Sequence, residues 1–252
     1  MSKIIAITNQ KGGVGKTTTA INLATAMAAI EKKILLIDCD PQGNASTGLG
    51  IAEAKREPTL YTLLCSGVFD LDSIKKTTIP NLDIVTANID LAASEIELTT
   101  VDDREFRLKN IIKNIKGYDY YFIDCPPALG LLTINGLVAS DSVMIPLQCE
   151  FFALEGLSAL MNTIETIKKN FNKNIEIEGL ILTMHDKRNS LSSLVENDVR
   201  GHFGDKVYKT IIPRNVRVSE APSHGKPVLI YDTSCVGSKA YIELAKEVIF
   251  NQ

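Results

Sequence analysis

Lys11-Gly12-Gly13-Val14-Gly15-Lys16-Thr17-Thr18 is the stretch that decides the fold. Before it lies an unbroken apolar run, Ile4 to Thr8 (IIAIT), which reads as a buried strand; after it, Lys16 to Ile30 reads as a helix. A glycine-rich turn between a strand and a helix is the setting a phosphate-binding loop requires. Glycines let the backbone N–H groups of Gly12, Gly13, Val14 and Gly15 turn inward and approach phosphate oxygens, and the helix N-terminus adds partial positive charge. Lys16 is expected to bridge the β- and γ-phosphates, the Thr17 hydroxyl to ligate Mg²⁺, and Thr18 to reach the α-phosphate. The loop departs from GxxxxGK(S/T) at its start: Gln10 stands where the first glycine would be, and an extra lysine, Lys11, precedes Gly12.

Outward from the loop, apolar runs alternate with helical patterns. Ile34 to Ile37, Leu82 to Thr86, Tyr120 to Ile123, Ser142 to Pro146 and Ile177 to Thr183 read as further strands, and Val207 to Ile212 as another. Arg104 to Ile115, Leu154 to Ile167 and about Gly237 to Phe250 carry apolar stripes at helical spacing. This alternation predicts an α/β fold of the P-loop NTPase type, a mostly parallel twisted sheet with helices on both faces. No repeat or low-complexity linker divides residues 1–252, so a single domain is expected, with the polar stretch Ala45 to Arg56 a loop attached to the nucleotide site.

Of the 252 residues, 45% are hydrophobic and 23% charged, which excludes wholesale disorder and fibrous repeats. No apolar run approaches the ~18 residues of a membrane span, and the N-terminus lacks a signal-peptide pattern. Five widely spaced cysteines (Cys39, Cys65, Cys125, Cys149, Cys235) without a CxxC suit a reducing cytosol. The net charge of −3 excludes a uniformly basic nucleic-acid binder. From His185 to Pro227, however, eight basic residues face five acidic ones, the composition of a binding surface or of an ordinary solvated face. The three histidines (His185, His202, His224) have no metal-ligand spacing.

Two acidic motifs follow the loop. In Asp38-Cys39-Asp40-Pro41-Gln42-Gly43-Asn44, two carboxylates flank one residue at the carboxyl end of a strand, where open α/β sheets bind ligands. Asp40 is the candidate for orienting the attacking water, and Asp38 for supporting the magnesium shell or the loop. In Tyr120-Tyr121-Phe122-Ile123-Asp124-Cys125-Pro126-Pro127, an apolar strand ends in Asp124, a Walker B pattern that holds Mg²⁺ directly or through water. One suitably placed cysteine, Cys125, does not make an iron–sulfur site.

Together these motifs resemble the ParA/Soj family of deviant Walker A partition ATPases, whose loop reads KGGxGK(S/T). The resemblance runs through TNQKGGVGKTT, DCDPQGNASTGLG, IDCPPALGLLTINGL, LTMHDKR and IPRNVRVSEAPSHGKP, nearly the whole chain. It implies an ATP-driven sandwich homodimer that binds double-stranded DNA without sequence preference and leaves it when a ParB-like centromere-binding partner stimulates hydrolysis. By the same resemblance Lys11 is the signature lysine that reaches the partner subunit's nucleotide. Lys16, Thr17 and Thr18 are nucleotide-loop residues, Asp40 the catalytic aspartate, Asp124 the Walker B acid, and Pro213 and Asn215 the adenine contacts. Arg188 and Arg217 match DNA-binding positions; their other reading is as scattered surface cations, or, for Arg217, as a loop anchor paired with Glu220. With the first strand beginning at about Lys3, operator binding through an N-terminal helix-turn-helix is not expected. The implied setting is cytoplasmic and nucleoid-associated, with no membrane partner and slow intrinsic turnover. Two other readings stand beside it. A MinD-like membrane-cycling ATPase needs a basic amphipathic C-terminal helix, whereas KAYIELAKEVIFNQ reads as a docked one. A metabolic P-loop enzyme needs an acceptor-activating base, which the sequence does not supply.

Overall fold

Apolar strands with no polar face need cover on both sides, and the order of elements supplies it. The computed structural model describes residues 2–150, 153–186 and 188–250. β1 (Lys3–Ile7) leads into α1 (Lys16–Ala28), β2 (Ile34–Asp38), α2 (Asn44–Gly48) and α3 (Leu60–Ser66). Next come β3 (Ile74–Lys76), β4 (Leu82–Val85), α4 (Leu91–Glu97), α5 (Arg107–Ile112), β5 (Tyr120–Asp124) and α6 (Leu131–Ala139). β6 (Ser142–Gln148), α7 (Ala153–Asn170), β7 (Glu176–Thr183) and α8 (Ser190–Phe203) follow, then α9 (Val216–Glu220), α10 (Val228–Tyr231) and α11 (Val236–Phe250).

The seven strands form one sheet in the order β3-β4-β2-β5-β1-β6-β7, parallel throughout except for the β3–β4 edge. Successive side chains of the inner strands enter two cores. Leu35, Ile37, Tyr121 and Ile123 point into the layer with α5, α6 and α7. Ile5, Ile7, Ile34, Leu36 and Phe122 point into the layer with α1 and α11. Phe122 is fully buried; truncating such a side chain to alanine costs about 3–5 kcal/mol. α11 docks on α1 through Tyr241, Leu244, Ala245 and Val248, with the Tyr241 hydroxyl 3.4 Å from Thr19 Oγ1. Among the described residues no helix is long and apolar enough to cross a membrane.

The register aligns the carboxyl ends of three adjacent strands: Ile7 pairs with Asp124, and Asp124 with Asp38. Cys125 N–H donates to Ile7 O (3.1 Å) and Cys39 N–H to Asp124 O (3.0 Å), so the ladder continues one residue past the strands.

Three expectations need correction. The stretch Ala45 to Arg56 is not a plain loop; it contains most of α2 and a 3₁₀ turn, Glu53–Lys55. Val207 to Ile212 is not a strand: the Tyr208 and Ile212 N–H groups reach Leu180 O (3.0 Å) and Leu182 O (2.8 Å) of β7, but the only bridge pair there is the isolated Leu180–Val207. The N–H groups of Lys209 and Thr210 turn instead to the Glu247 carboxylate, at 2.6 and 2.9 Å, which removes them from the ladder. Arg104 to Ile115 begins as a 3₁₀ turn, Arg104–Phe106, and is α-helical only over Arg107–Ile112.

Candidate nucleotide site

The loop after β1 is clipped at both flanks. Asn9 donates from Nδ2 to Pro146 O (2.7 Å) and accepts the Lys11 N–H at Oδ1 (3.0 Å). Val14 O accepts the Thr183 hydroxyl at 2.8 Å, tying the loop to the end of β7. Gly13 and Gly15 have φ of 75° and 89°, a region where a side chain is strained, and α1 starts directly after Gly15. Gly12 and Gly13 form an exposed tip, where an added Cβ meets nothing within 4 Å.

The two lysines of the loop diverge. Lys16 is buried, and its ammonium donates to Lys11 O at 3.0 Å. Burial pulls it below the ordinary lysine value, while the charges of Asp124 and Asp40 act in the opposite direction. Lys11 turns outward to Glu150, Nζ to Oε2 2.7 Å, with both side chains partly exposed.

The acids meet beneath Lys16. Asp124 is fully buried, and neither carboxylate oxygen has a hydrogen-bond partner of ordinary length. Burial raises its pKa well above the usual range, reinforced by Asp38 and Asp40; the nearby Thr17 hydroxyl and Lys16 act in the opposite direction. Asp38 is pushed up to about 6, chiefly by burial, although Oδ2 accepts both the Ser46 N–H (2.8 Å) and its hydroxyl (2.7 Å). It therefore holds the start of α2. Asp40 accepts the Gln42 N–H at Oδ1 (3.0 Å) and is buried, though slightly more exposed than Asp38 and Asp124. Three carboxylates against one buried ammonium leave the site short of positive charge. The orphaned oxygens of Asp124 beside a threonine hydroxyl fit a hard divalent cation.

The comparisons with known proteins agree with this geometry. A family model described as "AAA domain" matches residues 2–177. The chain is 57% identical to the chromosome partitioning protein ParA of Caulobacter vibrioides over 98% of its own length and 94% of the relative's. It is 56% identical to the sporulation initiation inhibitor protein Soj of Bacillus subtilis over the full length of both. The chain belongs to the ParA/Soj family of chromosome-partitioning ATPases. Among solved structures, cobyrinic acid a,c-diamide synthase of Mycobacterium smegmatis with bound ADP and magnesium superposes with a TM-score of 0.86 at 32% identity, covering 99% of this chain and 94% of that one. The septum site-determining protein MinD of Pyrococcus horikoshii, complexed with Mg-ADP, gives 0.82 at 27%, covering 100% and 97%. The P-loop NTPase fold expected from the sequence is the one observed.

In this ParA/Soj-family chain, Pro213 and Asn215 lie beside the end of β7. Pro213 bridges to His185, and Asn215 caps α9 by accepting the Val218 N–H at 3.3 Å. Both line an open cavity of about 1010 Å³ together with Arg188, Arg214, Lys239 and His185. His185 is itself buried, with Nε2 3.1 Å from Glu196 Oε2. Arg217 lies outside that cavity, beside Tyr231 and Asp232. Both nominated DNA cations are paired. Arg188 grips Asp186 through Nε (3.0 Å) and Nη2 (2.9 Å), which holds that carboxyl far below its usual range. Arg217 meets Glu220 at 3.0 Å, the pairing the sequence offered as its other role, and Asp232 at 3.6 Å. Lys187, counted among the cations of this region, falls outside the described residues.

Sequence reasoning missed Glu150, Ser46 and Arg56. Glu150 had one usable signal, its place just past the carboxyl end of β6. For Arg56 the sequence offered none.

Proposed function

We propose that this partition ATPase closes with MgATP into a sandwich homodimer in which each Lys11 serves the other subunit's triphosphate. The observation that carries this is the divergence of the two lysines: Lys16 fills its own loop, whereas the Lys11 side chain, partly exposed beside the Gly12–Gly13 tip, turns outward to Glu150. A cation supplied in trans stabilises the charge that spreads over a transferring γ-phosphoryl group. The amides of Gly12 to Gly15 and the Thr18 hydroxyl receive the phosphates, and Pro213 and Asn215 the adenine. Thr17 and Asp124 are the residues that would hold Mg²⁺, which when bound neutralises charge on the phosphate oxygens. Among the described residues no cluster of three or more His, Cys, Asp or Glu forms a metal cage, so Thr17 and Asp124 would hold the ion only in part. Asp40 orients the attacking water. An isolated subunit lacks the trans lysine, so its turnover is slow.

The dimer carries Arg188 and Arg217 twice, and the doubled patch binds DNA phosphates without reading sequence. A ParB-like partner stimulates hydrolysis and so releases the DNA. The membrane-cycling alternative needs a free amphipathic helix. α11 spends its apolar stripe on α1, which supports the DNA reading.

The test is DNA binding by wild type and Asp40→Ala with ATP, ADP and no nucleotide. ATP alone should support binding, and Asp40→Ala should remain bound. Equal binding with ADP and ATP overturns the switch, and pelleting with anionic liposomes in ATP would favour the membrane alternative.

A further inference from the structure

We infer that Arg56 is a positioning residue for Asp40, an inference that rests on the hydrolytic reading above. An arginine only 8% exposed is normally paired with a carboxylate. Among the described residues Arg56 has no such partner, and its guanidinium donates to three neutral oxygens. Nε reaches Ile51 O (3.2 Å), Nη1 reaches Ala87 O (3.0 Å) and Nη2 reaches Thr47 Oγ1 (2.7 Å). These acceptors come from the turn after α2, the segment after β4, and α2 itself. Only a planar fork of donors ties three such segments together; an ammonium on a flexible stem does not.

The turn that carries Asp40 rests on this fork. Gly43 N–H donates to Asp40 O at 2.9 Å. Gly43 has φ of 61°, and a Cβ placed there would lie 2.5 Å from Arg56 Nη1 and 2.8 Å from Ala87 O. The glycine turn therefore sits in contact with the guanidinium, with no space between them. From the other side, Ala87 N–H donates to Ser46 Oγ (3.1 Å), and the Ser46 hydroxyl donates to Asp38 (2.7 Å). Arg56 thus fixes the base on which both Asp38 and Asp40 are oriented, without touching the phosphate loop. Its buried charge is tolerated because each N–H that faces inward finds an acceptor.

If Arg56 sets the placement of Asp40, loosening it lowers the rate of the chemical step and leaves nucleotide affinity alone. A displacement of about 1 Å at a reacting group costs up to ~100-fold. The experiment is single-turnover ATP hydrolysis with Mg²⁺, alongside nucleotide binding, for wild type, Arg56→Lys, Thr47→Val and Asp40→Ala, and for Arg56→Lys in the Asp40→Ala background. Thr47→Val removes this acceptor, together with the Thr47 hydroxyl's own bond to Gly43 O (3.1 Å), at nearly constant shape, and serves as a perturbation of the same turn should Arg56→Lys fail to fold. The expected result is a rate at least about tenfold lower in Arg56→Lys, a smaller loss in Thr47→Val and unchanged binding in both. In the Asp40→Ala background Arg56→Lys should then change nothing further. Unchanged rates in both variants overturn the inference. So does a loss confined to nucleotide affinity, or an equal further loss without Asp40. If Asp40→Ala itself hydrolyses ATP like wild type, the hydrolytic reading fails first and this inference falls with it.

Discussion

Asp124→Asn should make the nucleotide-free protein more stable while removing its response to magnesium nucleotide. The substitution keeps shape and deletes a charge that is fully buried, with neither oxygen holding a hydrogen bond of ordinary length. An unsatisfied buried polar group costs about 1–3 kcal/mol, a penalty the Asn amide bears too, and a charged group costs more by a similar amount, which is what the substitution removes. The attraction of Lys16 and the Thr17 hydroxyl recovers part of that. A gain of about 1–3 kcal/mol in a chain of this size raises Tm by roughly 2–12 °C. The sign follows from linkage. The folded-state pKa of Asp124 lies above its unfolded value, so the stability it contributes is complete at low pH and is lost as pH rises through the folded value. The advantage of the variant should therefore be largest near neutrality and shrink on acidification. Calorimetric melts at neutral and acidic pH, with and without Mg·ADP, measure both effects. Wild type gains about 2.7 kcal/mol when ligand is at 100 times its Kd, and the variant should gain far less. An Asp124→Asn protein that melts at or below wild type without nucleotide, yet is raised as much by Mg·ADP, would refute the reasoning.

Asp38 titrates near 6 against 3.8 for an ordinary aspartate, so its stabilising contribution, about 3 kcal/mol, is present below pH ~4 and lost as pH rises through about 6. The melting-temperature difference between wild type and Asp38→Asn should vary across that window; a flat difference counts against the burial of charge. Lys11→Ala should bind ATP and fail to dimerise, and light scattering with a non-hydrolysable analogue that finds a dimer of wild-type strength removes the trans role. Arg188→Ala with Arg217→Ala should retain nucleotide binding and reduce the salt slope of DNA affinity by about 0.9 per lost phosphate contact. An unchanged slope would place the DNA surface elsewhere.

The inner strands were legible because both their faces are buried, which leaves unbroken apolar runs such as Ile34 to Ile37. The phosphate loop was legible because its chemistry lies within eight consecutive residues, and Asp38 and Asp124 because each ends a strand. What could not be read depends on partners distant in sequence. Lys209 and Thr210 leave the sheet for Glu247, 38 and 37 residues away. The first turn of α2 forms where Asp38, eight residues earlier, captures Ser46. β3 is a three-residue antiparallel edge with no run long enough to show alternation. Arg56 reaches Ala87 across 31 residues, a contact that no local pattern announces.

Lys11, Arg188 and Arg217 share one circumstance: each is tethered to a carboxylate of its own chain, Glu150, Asp186 and Glu220 respectively. Each tether sets a threshold. A single small anion gains too little from one such cation to displace the acid already there. A string of phosphates displaces several at once, because the entropy of bringing it close is spent only once. On the proposed DNA-binding reading, these tethers would let the resting molecule discriminate polyanions from chloride and free carboxylates.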